Sequence, residues 1–237
     1  MNIPQATAEL NRVGLGLGSQ ISEAWTESSG LPQNTISSQS IAAGQALNPG
    51  MLVDVVVLRA PNTILSYDDN DLTLINTTGA DLNLNGLIFG VAEGTVPAAF
   101  AATRWAGALS AGGCGQIWSV LRSVPKDVEG CGRINAWLTT NNAAEHFWTA
   151  LNGVSRFKIV QNGVERGSCP VAPAGTQPLR CELYLPANAS EGITPYIYFA
   201  YTPERFIIHN RSQDQFMPLA GTPSTAPIPT CPHLGSR

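Results

Sequence analysis

Asp71–Phe89, DLTLINTTGADLNLNGLIF, is the stretch whose reading decides the fold class. Leu72 and Leu74 alternate with Asp71 and Thr73, and Leu82 and Leu84 alternate with Asp81 and Asn83. A period of two sends successive side chains to opposite faces, so each run reads as a half-buried strand. Thr77-Thr78-Gly79 is expected to reverse the chain, with Gly79 free to take a positive φ. Asn76 is expected to hold that turn by bonding its own backbone. The two runs then form a hairpin with Leu72, Leu74, Leu82 and Leu84 toward the core. Asn85-Gly86 is a second turn signal, after which Leu87-Ile88-Phe89 opens another strand.

Outward from this stretch the same pattern recurs. Leu52–Leu58 is apolar and β-branched, a strong strand. Ile64–Tyr67, Cys114–Trp118, Ile134–Leu138, Arg156–Val160, Val164–Cys169 and Cys181–Leu185 read as further strands, and Asn162-Gly163 is the strongest hairpin signal in the chain. The strands are spaced about ten residues apart, with turn signals between them and no convincing amphipathic helix, which predicts an all-β antiparallel sandwich or barrel. Residues 1–50 read as an extended leader. Gly14–Gly18 has the look of a dinucleotide loop, but no strand precedes it and no βαβ unit follows, so a flexible linker is expected. The predicted organisation is a leader over 1–50, a β unit over 51–190 and a partial second β unit with a Pro-rich tail over 195–237.

Composition narrows the function classes. Charged residues make up 13% of 237, against about a quarter in ordinary globular chains. The net charge is −4 and there is no Lys/Arg cluster, which argues against nucleic acid as a partner. No apolar run approaches the roughly 20 residues of a membrane span. No signal sequence is visible at the N-terminus. Asp68-Asp69-Asn70 lacks the Gly and the closing Glu of a calcium loop and reads as a solvated turn.

The five cysteines form no CxxC pair, and no His stands at a zinc spacing, so no metal or other cofactor is expected. Cys114/Cys131 and Cys169/Cys181 are two locally spaced pairs. As disulfides, each would close a short loop and stabilise by roughly 3 kcal/mol in the chain-entropy model. That reading places the chain in an oxidising, extracytoplasmic compartment. Buried free thiols are the alternative. Cys231 is left over in the tail.

Trp118, Trp137 and Trp148 are expected in the core, where large aromatics dominate packing, together with Trp105. Exposed instead, such rings would make a sugar-stacking platform. Burial of Trp105, Trp118 and Trp148 would end that reading. Asp68, Asp69, Asp71 and Glu93 could supply paired carboxylates, but turn solvation explains them more simply.

There is also an internal echo. Tyr67 precedes Asn76 by nine residues, and Tyr201 precedes Asn210 by nine. Leu72, Leu74 and Asn76 pair with Phe206, Ile208 and Asn210, and Val55–Leu58 is matched with Tyr196–Phe199. About forty residues are too few to fold alone. The apolar face Ile197, Phe199, Phe206 and Ile208 is therefore expected to be covered, either by the first unit or by the leader of a neighbouring chain added as a strand.

The motifs Leu74-Ile75-Asn76 and Asp81-Leu82-Asn83-Leu84-Asn85-Gly86-Leu87, with Gly112-Gly113, Gln116-Ile117-Trp118 and Phe147-Trp148, resemble the lamin-tail domain over about residues 51–170. Leu87 stands where that family often has Trp. Cys114-x-Gln116-x-Trp118 and Cys131-x-Arg133-x-x-x-Trp137 look more like bacterial extracytoplasmic relatives. The resemblance implies an immunoglobulin-like β-sandwich acting as a non-enzymatic binding or scaffolding module. The expected function is protein–protein contact or self-assembly on a surface or secreted protein; a carbohydrate-binding module is the alternative.

Overall fold

The computed structural model describes residues 1–91, 99–150, 153–175, 177–192, 197–201 and 206–210, the last two segments as backbone only. The chain divides into two units, 1–194 and 195–237. In chain order the elements are α1 (Ile3–Arg12), β1 (Gly16–Ala24), β2 (Ile36–Gln39), β3 (Leu52–Arg59), β4 (Thr63–Tyr67), β5 (Asp71–Asn76), β6 (Leu82–Asn83), β7 (Leu87–Val91), β8 (Ala99–Ala101), β9 (Ala108–Leu109), β10 (Gly113–Trp118), β11 (Arg133–Thr139), β12 (Arg156–Gln161), β13 (Val164–Pro170), β14 (Leu179–Leu183), β15 (Ile197–Tyr201) and β16 (Phe206–Asn210). The protein is mostly β, in several sheets.

Two sheets enclose the main core. One has five strands in the order β11-β10-β5-β4-β14, the other four in the order β13-β12-β7-β8. Leu65, Tyr67, Leu72, Leu74 and Ile117 of the first pack with Phe89, Phe157 and Ile159 of the second. The Phe147 ring joins them, 5.3 Å from Phe89 and 5.2 Å from Phe157 between centroids. Tyr67 keeps its polar end satisfied by donating from Oη to the carbonyl of Pro170 at 2.7 Å. Cys169 on β13 is bonded to Cys181 on β14, tying the sheets together along one edge.

The Asp71–Phe89 stretch is not a hairpin. β5 pairs with β4 and β10, whereas β6 pairs with β9 and, among the described residues, with no strand of that sheet, so the chain leaves the five-stranded sheet after Asn76. Asn76 organises that departure. Its Nδ2 donates to the carbonyls of Ala80 at 2.7 Å and Ser110 at 2.9 Å, and its Oδ1 accepts from Thr78 N at 2.9 Å. The side chain thus does the work expected of Gly79, which does not adopt a positive φ. Leu72, Leu74, Leu82 and Leu84 are all buried. Gly86 has φ +69, and a Cβ there would overlap the Asn162 side chain, so this turn tolerates only glycine. Asn162 and Gly163 both take positive φ between Gln161 and Val164, the two-residue hairpin their sequence predicts.

The leader is ordered, which corrects the expectation of an extended linker. Pro4 falls in the first turn of α1, and Asn2 and Gln5 exchange side-chain to backbone bonds at 3.0 Å, a capping box. β1 pairs parallel and β2 antiparallel with β3. Ile3, Leu10, Leu17 and Ile36 pack on Val53, Val55 and Val57. Gly18 lies flat against Asp54, whose carboxylate accepts from Ser19 N at 2.7 Å, and a Cβ at Gly18 would overlap that carboxylate. The glycine run is therefore a strand that needs close approach, and Leu52–Leu58 belongs with residues 1–50 rather than with the sandwich. The leader spends its strand-forming capacity on its own chain, so it is not the free donor strand expected from composition.

Among the described strands two pairs are parallel rather than antiparallel, β1 with β3 and β10 with β11. Residues 119–132 carry the chain back to the start of β10, which is the crossover a parallel pair requires. In the second unit β15 pairs antiparallel with β16. Ile197, Phe199, Phe206 and Ile208 lie on these strands, but their side chains fall outside the described residues, as do Tyr196, Glu93 and Cys231.

Candidate functional site

The five-stranded sheet has a second face, away from the main core. The registers align Arg180, Ser66, Thr73, Gln116 and Trp137 across it, one residue per strand. Alternation alone would expose this row. Instead Thr73 and Gln116 are fully buried, because residues 119–132 lie over them as a strap.

Three devices hold the strap. Cys114 on β10 is bonded to Cys131, and Val128 and Cys131 pack there on Ile64 and Ile75. Gln116 pairs with the strap like a strand neighbour, its Nε2 donating to Lys126 O at 2.6 Å and its Oε1 accepting from Lys126 N at 3.1 Å. Lys126 Nζ reaches down to Asp71 at 2.8 Å and Asp68 at 3.1 Å. Burial pushes the Asp71 carboxyl up, with the Asp68 charge adding to this, and both outweigh the opposing pull of Lys126. Burial draws the Lys126 ammonium down, but its hydrogen bonds to Asp71 and Asp68 more than reverse this and its pKa is raised. The carboxylates are committed to the lysine, a clamp rather than a free acid–base pair. A cleft of about 310 Å³ opens beside the strap, lined among others by Ser66, Asp71, Lys126, Glu129 and Arg180.

Trp118 is buried on this face beneath the Arg122 guanidinium, which stands 4.3 Å from its ring centroid. Trp105 and Trp148 are buried on the opposite side and donate to the carbonyls of Gln116 and Asp68. With these three rings inside, the sugar-stacking platform loses the residues it was built from. Trp137, expected in the core, is 37% exposed. The irregularity between Cys114 and Gly115 lets Asn135 bulge and sets Trp137 opposite Gln116 on the strapped face, at the outermost strand.

The strap also differs from the polar loop its sequence suggests. Its outer surface carries Val120, Leu121 at 89% exposure and Val124 at 59%. Trp137, on the neighbouring strand β11, is the other large apolar side chain exposed on this side of the sheet. Sequence reasoning missed this set, and the signal was available: three aliphatic residues enclosed between two cysteines. Among the described residues, no cluster of three His, Cys, Asp or Glu is placed to hold a metal ion, and no helix is long and apolar enough to cross a membrane.

Searches against protein-family models, curated proteins and solved structures return no match to this chain.

Proposed function

We propose that this chain is a non-enzymatic, extracytoplasmic β-sandwich module whose strap and β11 corner is a protein-contact surface used in association or self-assembly. The observation that carries the reading is the exposed apolar set Leu121, Val124 and Trp137 on a surface fixed by a disulfide and an ion-paired clamp. Exposed apolar groups gathered on one fixed segment mark interaction sites. Two disulfides support an oxidising compartment.

A lamin-tail relationship and an immunoglobulin-like order belong to this proposal. They are supported by Leu74 and Leu82 in the core and by Asn76 at the turn, where that resemblance requires them. A partial repeat from 195 is also part of it. Tyr201 faces Phe206 and Ile197 faces Asn210, the same offsets by which Tyr67 faces Leu72 and Thr63 faces Asn76. The strand this repeat answers to is β4, not Val55–Leu58.

Sedimentation velocity of the full chain over a wide concentration range tests the reading. Association is expected in wild type and is weakened in Leu121→Asp/Val124→Asp, whose substitutions lie on the surface and leave the fold intact. Association that is unchanged in that variant would show that the contact surface lies elsewhere.

A further inference from the structure

We propose that β11 pairs antiparallel with β11 of a second copy about a two-fold axis at Trp137, joining two five-stranded sheets into one. This rests on the reading that the strap and β11 corner is a contact surface, and it names both the partner and the register.

Among the described residues, β11 is the last strand of its sheet and is bonded on one side only, to β10. Its other side presents a row of N–H and C=O groups that no strand among the described residues pairs, a template for another strand. The other edges of the two core sheets are blunted. β14 carries exposed Arg180 and Glu182 and is tied through Cys181 to β13, while β13 has an irregular register and ends at Pro170. β8 has only three residues. β11 carries one charge, Arg133, at its start, before the bulge.

Beyond the bulge the strand is half-finished. Ala136 and Leu138 turn to the main core and pack against its rim but are only partly covered. Trp137 turns to the strapped face and is exposed. A strand added outside β11 would cover all three.

The sequence fits a second copy of itself. Directly opposed residues of an antiparallel pair share a face. Centring the pair on Trp137 keeps the faces matched. The two Trp137 rings meet on the strapped face, and Ala136 meets Leu138 of the second copy on the core face, small against large. Asn135 meets Thr139, and Arg133 falls opposite Asn141, so no like charges are opposed. The strap flanks this contact, because Trp118 under Arg122 is the cross-strand neighbour of Thr139. A two-fold arrangement of this kind closes as a dimer. The pairing is short, so the dimer belongs to the weak, small-interface class.

The test uses the full chain with Cys231→Ser to remove the leftover thiol. At a two-fold axis only the central residue meets itself. Trp137→Cys is therefore expected to form an interchain disulfide readily in air, whereas Asn135→Cys and Thr139→Cys cross-link poorly alone and well when mixed. By sedimentation, Trp137→Lys should weaken wild-type dimerisation at least tenfold. If wild type associates but the cysteine at 137 cross-links no faster than those at 135 and 139, the edge pairing is overturned while the proposed function stands. If wild type stays monomeric at all concentrations, both the pairing and the self-assembly reading fail.

Discussion

At its central strands, β5 and β10, the five-stranded sheet is buried on both faces, and by different means. The inner face is closed by apolar area, with Leu72, Leu74 and Ile117 set against the rings of the facing sheet. The outer face is closed by a strap, and what it covers is mixed: Asp71, Thr73, Gln116 and Trp118 at one end, and an apolar patch of Ile64, Ile75 and Cys114 at the other. Apolar packing closes a surface wherever shapes match. A polar face closes only where each group finds a partner, which is why the strap needs a disulfide, an amide pairing and an ion pair. On this face three groups find no partner among the described residues: Thr73 Oγ1, Trp118 Nε1 and Thr139 Oγ1. The inner face is built for stability. The outer face stays incompletely satisfied and leads to the exposed corner.

The largest expected effect is on the inner face. Leu74→Ala should cost roughly 2–5 kcal/mol in a urea titration, the range for a packed leucine. A loss under about 1 kcal/mol would mean that the core collapses around the site and that the contrast between faces is overdrawn. Removing the strap's fastening, with Cys114→Ala and Cys131→Ala together, should cost about 3 kcal/mol for a closed loop of this length. Hydrogen exchange should then rise over residues 119–132 and leave β12 protected. If β12 loosens equally, the strap is part of the core rather than a cover upon it.

Alkaline pH distinguishes the faces again. Burial pushes the Tyr67 phenol up to about 12 from 10.0. The unfolded chain releases that proton first, so Tyr67's contribution is complete below pH 10 and is lost between pH 10 and about 12, on the order of 2–3 kcal/mol. The raised Lys126 pKa works in the same direction, its contribution being lost as pH climbs above 10.5 through the folded value. Denaturation profiles of Tyr67→Phe and Lys126→Met should each be flatter than wild type across this range. A Tyr67→Phe profile as steep as wild type would place the phenol in contact with water.

The smallest effect carries the most informative sign. Thr73 alternates with Leu72 and Leu74, so the sequence predicts a solvent-facing residue indifferent to substitution. It is fully buried with an unpartnered hydroxyl. Thr73→Val should be neutral or stabilising by up to about 1 kcal/mol, because it removes a buried group that has no bond to lose. Clear destabilisation would mean that the hydroxyl is satisfied in solution.

Thr73 also shows where the sequence stops being legible. Alternation locates strands and tells one face from the other, and it placed β4, β5, β10, β12 and β13. It does not say what comes to lie over the second face, because that depends on a crossover and a disulfide between distant positions. The same limit hid the escape of β6 from its expected hairpin. Leu82 and Leu84 are core, as their period requires, but they are core against β9 and Gly107 rather than against β5. The leader is hard to read from composition for a different reason. Polar composition suggested a linker, although Asn2-Ile3-Pro4-Gln5 carried a capping box, and the glycines of β1 are the residues that let it approach β3. Trp137 departs from the core position its pattern suggests because one bulged residue, Asn135, reverses its face, and a bulge has no signal in alternation.

The central claim is that this chain makes its contacts through the β11 corner. Hydrogen–deuterium exchange at low and high protein concentration tests it most directly, with β14 as the internal control at the other edge of the same sheet. The account predicts that amides of β11 and the strap slow markedly at high concentration while those of β14 do not change. Exchange in β11 that is independent of concentration in a chain that nonetheless associates, or slowing confined to β14, would contradict it.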